Sequence, residues 1–396
     1  MADEVMTLAQ SPSEEPPEQA ALRQAAREFA QREIAPHVAD YDREERFPRE
    51  IVEKTAQLGW IGGVLPPEYE GAGLDWVSFA MLVEEISRVC HVVGLVLSMP
   101  SGLVGAGILK YGTEEQKQRY IVPLVRGESF AGAGVTEPGS GTDVANMATT
   151  YSRDDGEFVL NGAKAWISML DVGDWFLTFA TRDRSLGRKG VSAFIIPRDT
   201  PGLTMRPYPN KLGFRPLATG DLVLENVRVP AENLVGEEGR GYEVAMAAVE
   251  TGRLSVAARA VGLAQACLDA SVAYARTRIV MGQEIGRFQL VQSMITDMTV
   301  GVESARHFLY RLAAHKDAGV QRPRRESSLA KMHASDVAMM AATNAVQIHG
   351  AYGISDEYPV GRYFRDAKVF QIVEGTSQLH RGMVAEYALG YRAPDR

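Results

Sequence analysis

The sequence predicts a mainly α protein with a central β-domain: an N-terminal helical domain, an antiparallel β-domain and a C-terminal four-helix bundle. Three observations carry this. Apolar residues recur at helical spacing through roughly the first 130 residues. Between Phe158 and Val229 the apolar runs are short, β-branched or aromatic, with no helix-length segment between them. From Gly241 the helical period returns and persists over much longer segments. The expected divisions are a flexible acidic tail (1–17), the helical domain (18–130), the β-domain (131–236) and the bundle (237–396).

In chain order, the tail carries Asp3, Glu4, Glu14 and Glu15 with no basic residue. It has neither a signal-peptide apolar core nor an Arg-rich amphipathic pattern, so a cytoplasmic protein without membrane insertion is expected. Pro16 and Pro17 suit a helix start, and Leu22, Ala26 and Phe29 share a face. A second helix is expected from Pro48 to Leu58, stopped by Gly59. Asp75 caps the next, with Phe79, Leu82, Val83, Ile86 and Cys90 inward and Glu84, Glu85 and Arg88 outward. Val92–Leu109 reads as a further buried helix and Glu114–Val125 as a short one.

In the β-domain, Asn161-Gly162 between two apolar runs predicts a hairpin. Trp175–Thr181, Val191–Ile196, Leu222–Leu224 and Val227–Val229 are further strands. In the bundle, Leu254, Ala258, Val261, Ala264, Leu268 and Val272 line one helix. Val291, Ile295, Met298, Val302, Ala305, Leu309 and Leu312 form a seam on the next. A third helix spans Ser327–Ile348, and shorter ones follow Pro359 and Ser377. Long apolar seams of this kind favour association into oligomers.

Several functions are disfavoured. With 396 residues and a net charge of −8, the chain lacks the basic footprint of a nucleic-acid binder. No Gly-x-Gly is followed by the third glycine of a dinucleotide fold, and no phosphate loop or Gly-x-Ser-x-Gly elbow occurs. The histidines and the two cysteines, Cys90 and Cys267, show no metal-ligand spacing. The cysteines read as buried free thiols.

Three stretches hold chemistry. Gln371-Ile-Val-Glu374-Gly-Thr-Ser-Gln378 places an acid after an apolar run and beside a flexible turn with hydroxyls, which suits a base working in the absence of water. Val135-Thr-Glu-Pro-Gly-Ser-Gly-Thr-Asp143 offers hydroxyls and exposed amides. Gly162-Ala-Lys-Ala-Trp-Ile-Ser168 sets a Trp and a Ser hydroxyl where they can flank a planar ring. Taken singly, each also fits an ordinary loop, turn or core residue.

Together with Lys211-Leu-Gly-Phe-Arg215, Arg276-x-Arg278, Phe288-Gln289, Gln347–Gly353 and Arg365-Asp366, these stretches occur in an order that resembles the acyl-CoA dehydrogenases over Glu18–Gly390. The resemblance implies FAD as cofactor and an acyl-CoA substrate oxidised to the 2-enoyl-CoA. Glu374 is then the catalytic base, and Gly252, where one subgroup carries its base, cannot serve. Val135, Thr136 and Thr142 border the flavin and thioester, with Trp166 and Ser168 against the ring and Thr376 and Gln378 also on FAD. Arg278, Phe288, Gln289, Gln347 and Ala351 reach the FAD of a neighbouring subunit, so at least a dimer is required and a homotetramer is expected. Arg253 organises the site, Glu250 meets the pantetheine, and Gly375 lets the thioester approach. Asn146, Ala351 and Met281 depart from the usual pattern without removing a reacting group.

The electron acceptor implied is an electron-transfer flavoprotein. Leu95, Leu97, Met99 and Val249 are apolar and mid-sized, and no charged residue lies between His91 and Leu109. That disfavours glutaryl-type substrates and favours a short, branched or alicyclic acyl group. The Trp166–Trp175 stretch is similar to the cyclohexanecarboxyl-CoA dehydrogenase type. An acyl-CoA oxidase and a carrier-protein thioester dehydrogenase share the chemistry and stand as alternatives, as does a non-catalytic flavin-binding scaffold.

Overall fold

The computed structural model describes residues 16–320 and 322–393. Most of the expected flexible tail therefore lies outside the described residues. The first helix runs Pro17–Phe29 with proline at its first position, where a missing N–H breaks no hydrogen bond. Arg49–Gln57 and Trp76–Ser87 follow, and Val38–Glu44 is a helix without a sequence counterpart. Asp75 caps the third of these, accepting from the Ser78 N–H at 2.6 Å. Val92–Leu109 is not one helix. His91–Leu97 and Gly105–Tyr111 are separated by turns around Pro100, which cannot donate to a continuing ladder.

A second difference concerns Glu84 and Glu85, which are 0% and 2% exposed rather than outward-facing. The Trp76–Ser87 helix threads between the Pro17–Phe29 helix and the bundle, so its polar side is covered too. Glu85 receives Arg23, Arg27 and Arg88 at 3.2, 2.9 and 3.0 Å. Glu84 receives Arg306 and the Tyr310 hydroxyl, each at 2.8 Å.

The β-domain comprises β1 (Ala131–Gly134), β2 (Thr150–Asp154), β3 (Glu157–Ser168), β4 (Trp175–Thr181), β5 (Val191–Pro197), β6 (Leu203–Pro207), β7 (Thr219–Pro230) and β8 (Leu234–Val235). The sheet order is β6-β7-β3-β2-β4-β5-β8, with β1 beside β4. Pairing is antiparallel except where β1 and the start of β2 lie parallel to β4. The hairpin turn is Asp155-Gly156, with φ 47° and 83°, and not Asn161-Gly162. Asn161-Gly162 sits inside β3 at a slip in register against β7. There Gly162 (φ 148°) approaches Thr149 so closely that a Cβ would meet its Cα at 2.7 Å. Bulges and hairpin turns both use positive φ, so the same residue pair signals either.

Three long helices form the bundle: Gly241–Thr277, Gln289–Asp317 and Arg324–His349. Val360–Phe370 and Ser377–Ala388 pack on the third. The 37-residue Gly241–Thr277 helix is long and apolar enough to cross a membrane, but it lies at the centre of the molecule. It packs on Trp76–Ser87 and on both other long helices at once. The expected seam is buried from Met298 to Leu312, and Cys90 and Cys267 are buried free thiols.

Candidate active site

Glu374 lies in the connection between the Val360–Phe370 and Ser377–Ala388 helices. Its φ is +56° and that of Gly375 is +94°. The left-handed conformation costs a glutamate about 1–2 kcal/mol and a glycine almost nothing. The surroundings hold the turn in this shape. Asp336 accepts from Gln371 Nε2 at 2.8 Å and Ser377 Oγ at 3.1 Å. Thr376 caps the following helix by accepting from the Leu379 N–H at 3.2 Å. The Glu374 carbonyl accepts from Arg253 Nε at 3.3 Å and faces His380 Nε2 at 3.2 Å. The Gly375 carbonyl accepts from Lys331 Nζ at 2.6 Å.

The carboxylate lies over the backbone of the Gly241–Thr277 helix. A Cβ added at Gly252 would stand 2.6 Å from Glu374 Oε1, so only glycine leaves room for it. Burial pushes the Glu374 carboxyl up to about 7, with Arg253, Arg259 and Lys331 opposing the rise. Desolvation wins although three cations surround the acid. The same burial draws Lys331 down to about 7 and His380 to about 3.

The β-domain contributes a second wall. Trp166 is 64% exposed with φ +60°, at another register slip between β3 and β7. The bulge takes its ring out of the strand alternation, while Ala165 and Ile167 on either side stay buried. The ring rests edge-on against Tyr208, 4.8 Å between centroids. The Val135–Asp143 loop is tied to β3 twice. The Ala165 N–H donates to the Thr136 carbonyl at 2.8 Å, and buried Lys164 donates to Glu137 at 2.6 Å. Val135, Thr136 and Ser168 are half-buried there and Thr142 is exposed. The loop after Tyr208 carries this wall onto the helix leading into Glu374, since the Phe214 N–H donates to Asp366 at 2.7 Å.

A separate group gathers at the far end of the bundle. Arg278 follows Gly252 by 26 residues, roughly 39 Å along a helix. Its guanidinium lies over Tyr352 at 5.9 Å, which brings it beside the Gln347–Ala351 segment. Arg278, Gln289, Gln347 and Ala351 are exposed and Phe288 is half-buried. Met281, Leu290 and Ile354 next to them are exposed at 90%, 81% and 83%.

The family models for the acyl-CoA dehydrogenase N-terminal, middle and C-terminal domains match residues 16–128, 132–227 and 239–389. This chain belongs to the acyl-CoA dehydrogenase family. A short-chain specific acyl-CoA dehydrogenase of Clostridium acetobutylicum is 42% identical over 93% of this chain and 97% of its own. A glutaryl-coenzyme A dehydrogenase solved with glutaryl-CoA superposes with a TM-score of 0.93 at 38% identity, covering 97% of this chain and 98% of the other. A Mycobacterium smegmatis glutaryl-CoA dehydrogenase in complex with FADH2 gives 0.89 at 28% identity, covering 96% and 97%.

The protein is therefore an FAD-dependent oxidoreductase that dehydrogenates acyl-CoA thioesters. The residues fit the cofactor: an exposed indole stands beside hydroxyl-bearing strands, and the distant Arg278 offers a cation for phosphate. The structure brings Glu374, Gly375, Thr376, Arg253 and Gly252 into one locus, with Gln378 exposed one turn on. It groups Val135, Thr136, Trp166 and Ser168 on another, and keeps Arg278, Phe288, Gln289, Gln347 and Ala351 apart from both. Glu250 is ion-paired with Arg324 at 2.9 Å. Sequence reasoning missed Lys331, His380, Asp336 and Arg259. A lysine among Ala330, Ala334 and Ala338 on an apolar helix face was the available signal for Lys331.

Proposed function

We propose that this acyl-CoA dehydrogenase uses Glu374 to remove the α-proton of a short, compact acyl-CoA, branched or alicyclic groups included. One observation carries the assignment: the half-buried Glu374 places its carboxylate directly over Gly252, with the carbonyls of its turn held by Arg253 and Lys331. A solvated glutamate near pKa 4.3 is a poor base for a thioester α-hydrogen. Desolvation that lifts it to about 7 narrows the gap, and entry of substrate excludes further water. The Glu374 backbone N–H and Gly375 are assigned to the thioester oxygen as it gains charge. Bound FAD supplies the hydride acceptor. Val135, Thr136, Thr142, Trp166 and Ser168 position it, with Thr376 and Gln378. Thr142 also borders the thioester, and Glu250 stands at the pantetheine.

The separation of Arg278, Phe288, Gln289, Gln347 and Ala351 from Glu374 supports their serving the FAD of a second subunit. A homotetramer that passes electrons to an electron-transfer flavoprotein follows as the working assembly. Buried free thiols at Cys90 and Cys267 accord with a cytoplasmic protein.

The test is anaerobic flavin bleaching by acyl-CoAs. Glu374→Gln should retain FAD and bind acyl-CoA yet reduce flavin about 10²–10⁴-fold more slowly. The wild-type kcat/KM should rise with pH through about 7, where Glu374 loses its proton. Near-normal bleaching by the variant would remove Glu374 from the role. Palmitoyl-CoA as the best substrate would remove the compact acyl group.

A further inference from the structure

Lys331 is a cation that packing alone gives no reason to bury. It is 0% exposed on the Arg324–His349 helix, among the fully buried Ala330, Ala334 and Ala338. Taking an ammonium out of water costs stability, and an apolar side chain of similar length would fill the space at least as well. Its Nζ makes one short hydrogen bond, to the Gly375 carbonyl at 2.6 Å. The same helix grips the Gln371–Thr376 connection on either side of that point. Ser335 Oγ lies 3.0 Å from the Phe370 carbonyl, and Asp336 accepts from Gln371 and Ser377. A hydroxyl and a carboxylate thus fix the ends of the connection, and the ammonium fixes its middle.

Two peptide planes flank Gly375. The first carries the Glu374 carbonyl, which accepts from Arg253 Nε at 3.3 Å and faces His380 Nε2 at 3.2 Å. The second carries the Gly375 carbonyl, which Lys331 holds. Rigid planes leave only the φ and ψ of the residue between them free. Glycine has more of that freedom than any other residue, and here it stands at φ +94°. Holding both planes removes it. Releasing the second lets the first turn on its two longer contacts, and Glu374, itself at φ +56°, turns with it away from Gly252. The charge acts separately. Around Glu374 stand Arg253 and Arg259 of the Gly241–Thr277 helix, Lys331, and His380 of the Ser377–Ala388 helix. Around Lys331 stand Glu374, Arg253 and Asp336. Burial holds His380 down to about 3, so it is neutral at working pH. Lys331 is the cation that reaches the acid from outside the central helix.

We propose that Lys331 is the positioning residue of the base: its hydrogen bond to the Gly375 carbonyl locks the Glu374 carboxylate over Gly252, and its charge keeps that carboxylate ionised until the thioester arrives. This inference rests on the reading of Glu374 as the base, and no bond to substrate passes through Lys331 itself. While Glu374 is ionised, the attraction between the two keeps the proton on Nζ. Once Glu374 has taken the α-proton that attraction is gone. An amine remains a donor in either state, so the turn keeps its shape through the reaction while the field on the carboxylate relaxes. Stability is given up here for placement, which is the usual exchange at a working site.

The experiment uses FAD-loaded holoenzyme and butyryl-CoA, and follows anaerobic flavin reduction, thioester binding by the flavin spectrum, and thermal melting. Lys331→Met should reduce flavin about 100-fold more slowly at pH 7 and about 20-fold more slowly on the alkaline plateau. The two figures differ because loss of a nearby cation moves the acid limb of the profile upward by about one pH unit. Butyryl-CoA binding should stay within about threefold, and the melting temperature should hold or rise. Lys331→Arg keeps a charge and a donor, so the limb should stay at the wild-type pH and part of the rate should return. Two outcomes overturn the proposal. One is a Lys331→Met enzyme with the wild-type rate and limb. The other is a variant whose rate, binding and melting temperature all fall with the limb unmoved, which is structural damage alone. If Lys331→Met folds poorly, Lys331→Arg decides: a lowered rate with the limb unmoved supports the proposal, and a limb moved upward although the charge is kept overturns it. Near-normal reduction by Glu374→Gln would fail the base assignment itself. A silent Lys331→Met beside an inactive Glu374→Gln fails Lys331 only.

Discussion

The carboxylate of Glu374 and the missing side chain of Gly252 define each other. A methyl at Gly252 would overlap Oε1, and the carboxylate, as the far end of a flexible chain, is the part that would move. Gly252→Ala should therefore lower kcat by about 100-fold, as displacement by about 1 Å of a reacting group does. The same change replaces a glycine inside a helix, which favours folding by about 1 kcal/mol. Activity should fall while the melting temperature holds or rises. A loss of both would place the damage in packing rather than in the base. At this scale the sequence is informative where a residue belongs to a motif, as Glu374 and Gly375 do. It marks Lys331 only as a lysine among alanines and is silent on Arg259, and both stand at ordinary helix spacing. Nothing in the spacing shows which neighbours will bury them.

The elements were legible by period and cap, and their polar faces were not. Asp75 caps the helix it precedes, and the Met298–Leu312 seam is buried at its four-and-three spacing. Glu84 and Glu85 fail the same logic, because an acid on a helix looks alike whether water or arginine faces it. The consequence is measurable. Arg27 and Arg88, held on Glu85 from two helices, keep its carboxyl at about 2 despite burial. A depressed carboxyl stabilises the fold above its ordinary range and loses that effect as pH falls toward 2. Glu85→Gln should cost about 3–5 kcal/mol at pH 7, since buried cations are left unpaired, and less at pH 3. Urea midpoints at the two pH values provide the check. An equal cost at both would assign the effect to packing.

Across the whole molecule, the separation of the two groups proposed to hold FAD sets what one chain can do. Their sequence order was readable, and the distance between them follows from the length of one helix, so both were available in advance. The positive-φ bulges that expose Trp166 and bend β3 at Gly162 were not, because they depend on which strands become neighbours. Arg278→Ala should weaken FAD binding by about 10²-fold with helix content unchanged, read as flavin content after gel filtration. In the proposed assembly each site draws Glu374 from one chain and Arg278 from another. Two defective alleles should then repair each other. Coexpressed Glu374→Gln and Arg278→Ala chains, each inactive alone, should yield about a quarter of the wild-type sites from random pairing in a two-fold assembly. The long central helix thereby turns a packing feature into a genetic one: a recessive lesion at one end can be complemented by a lesion at the other.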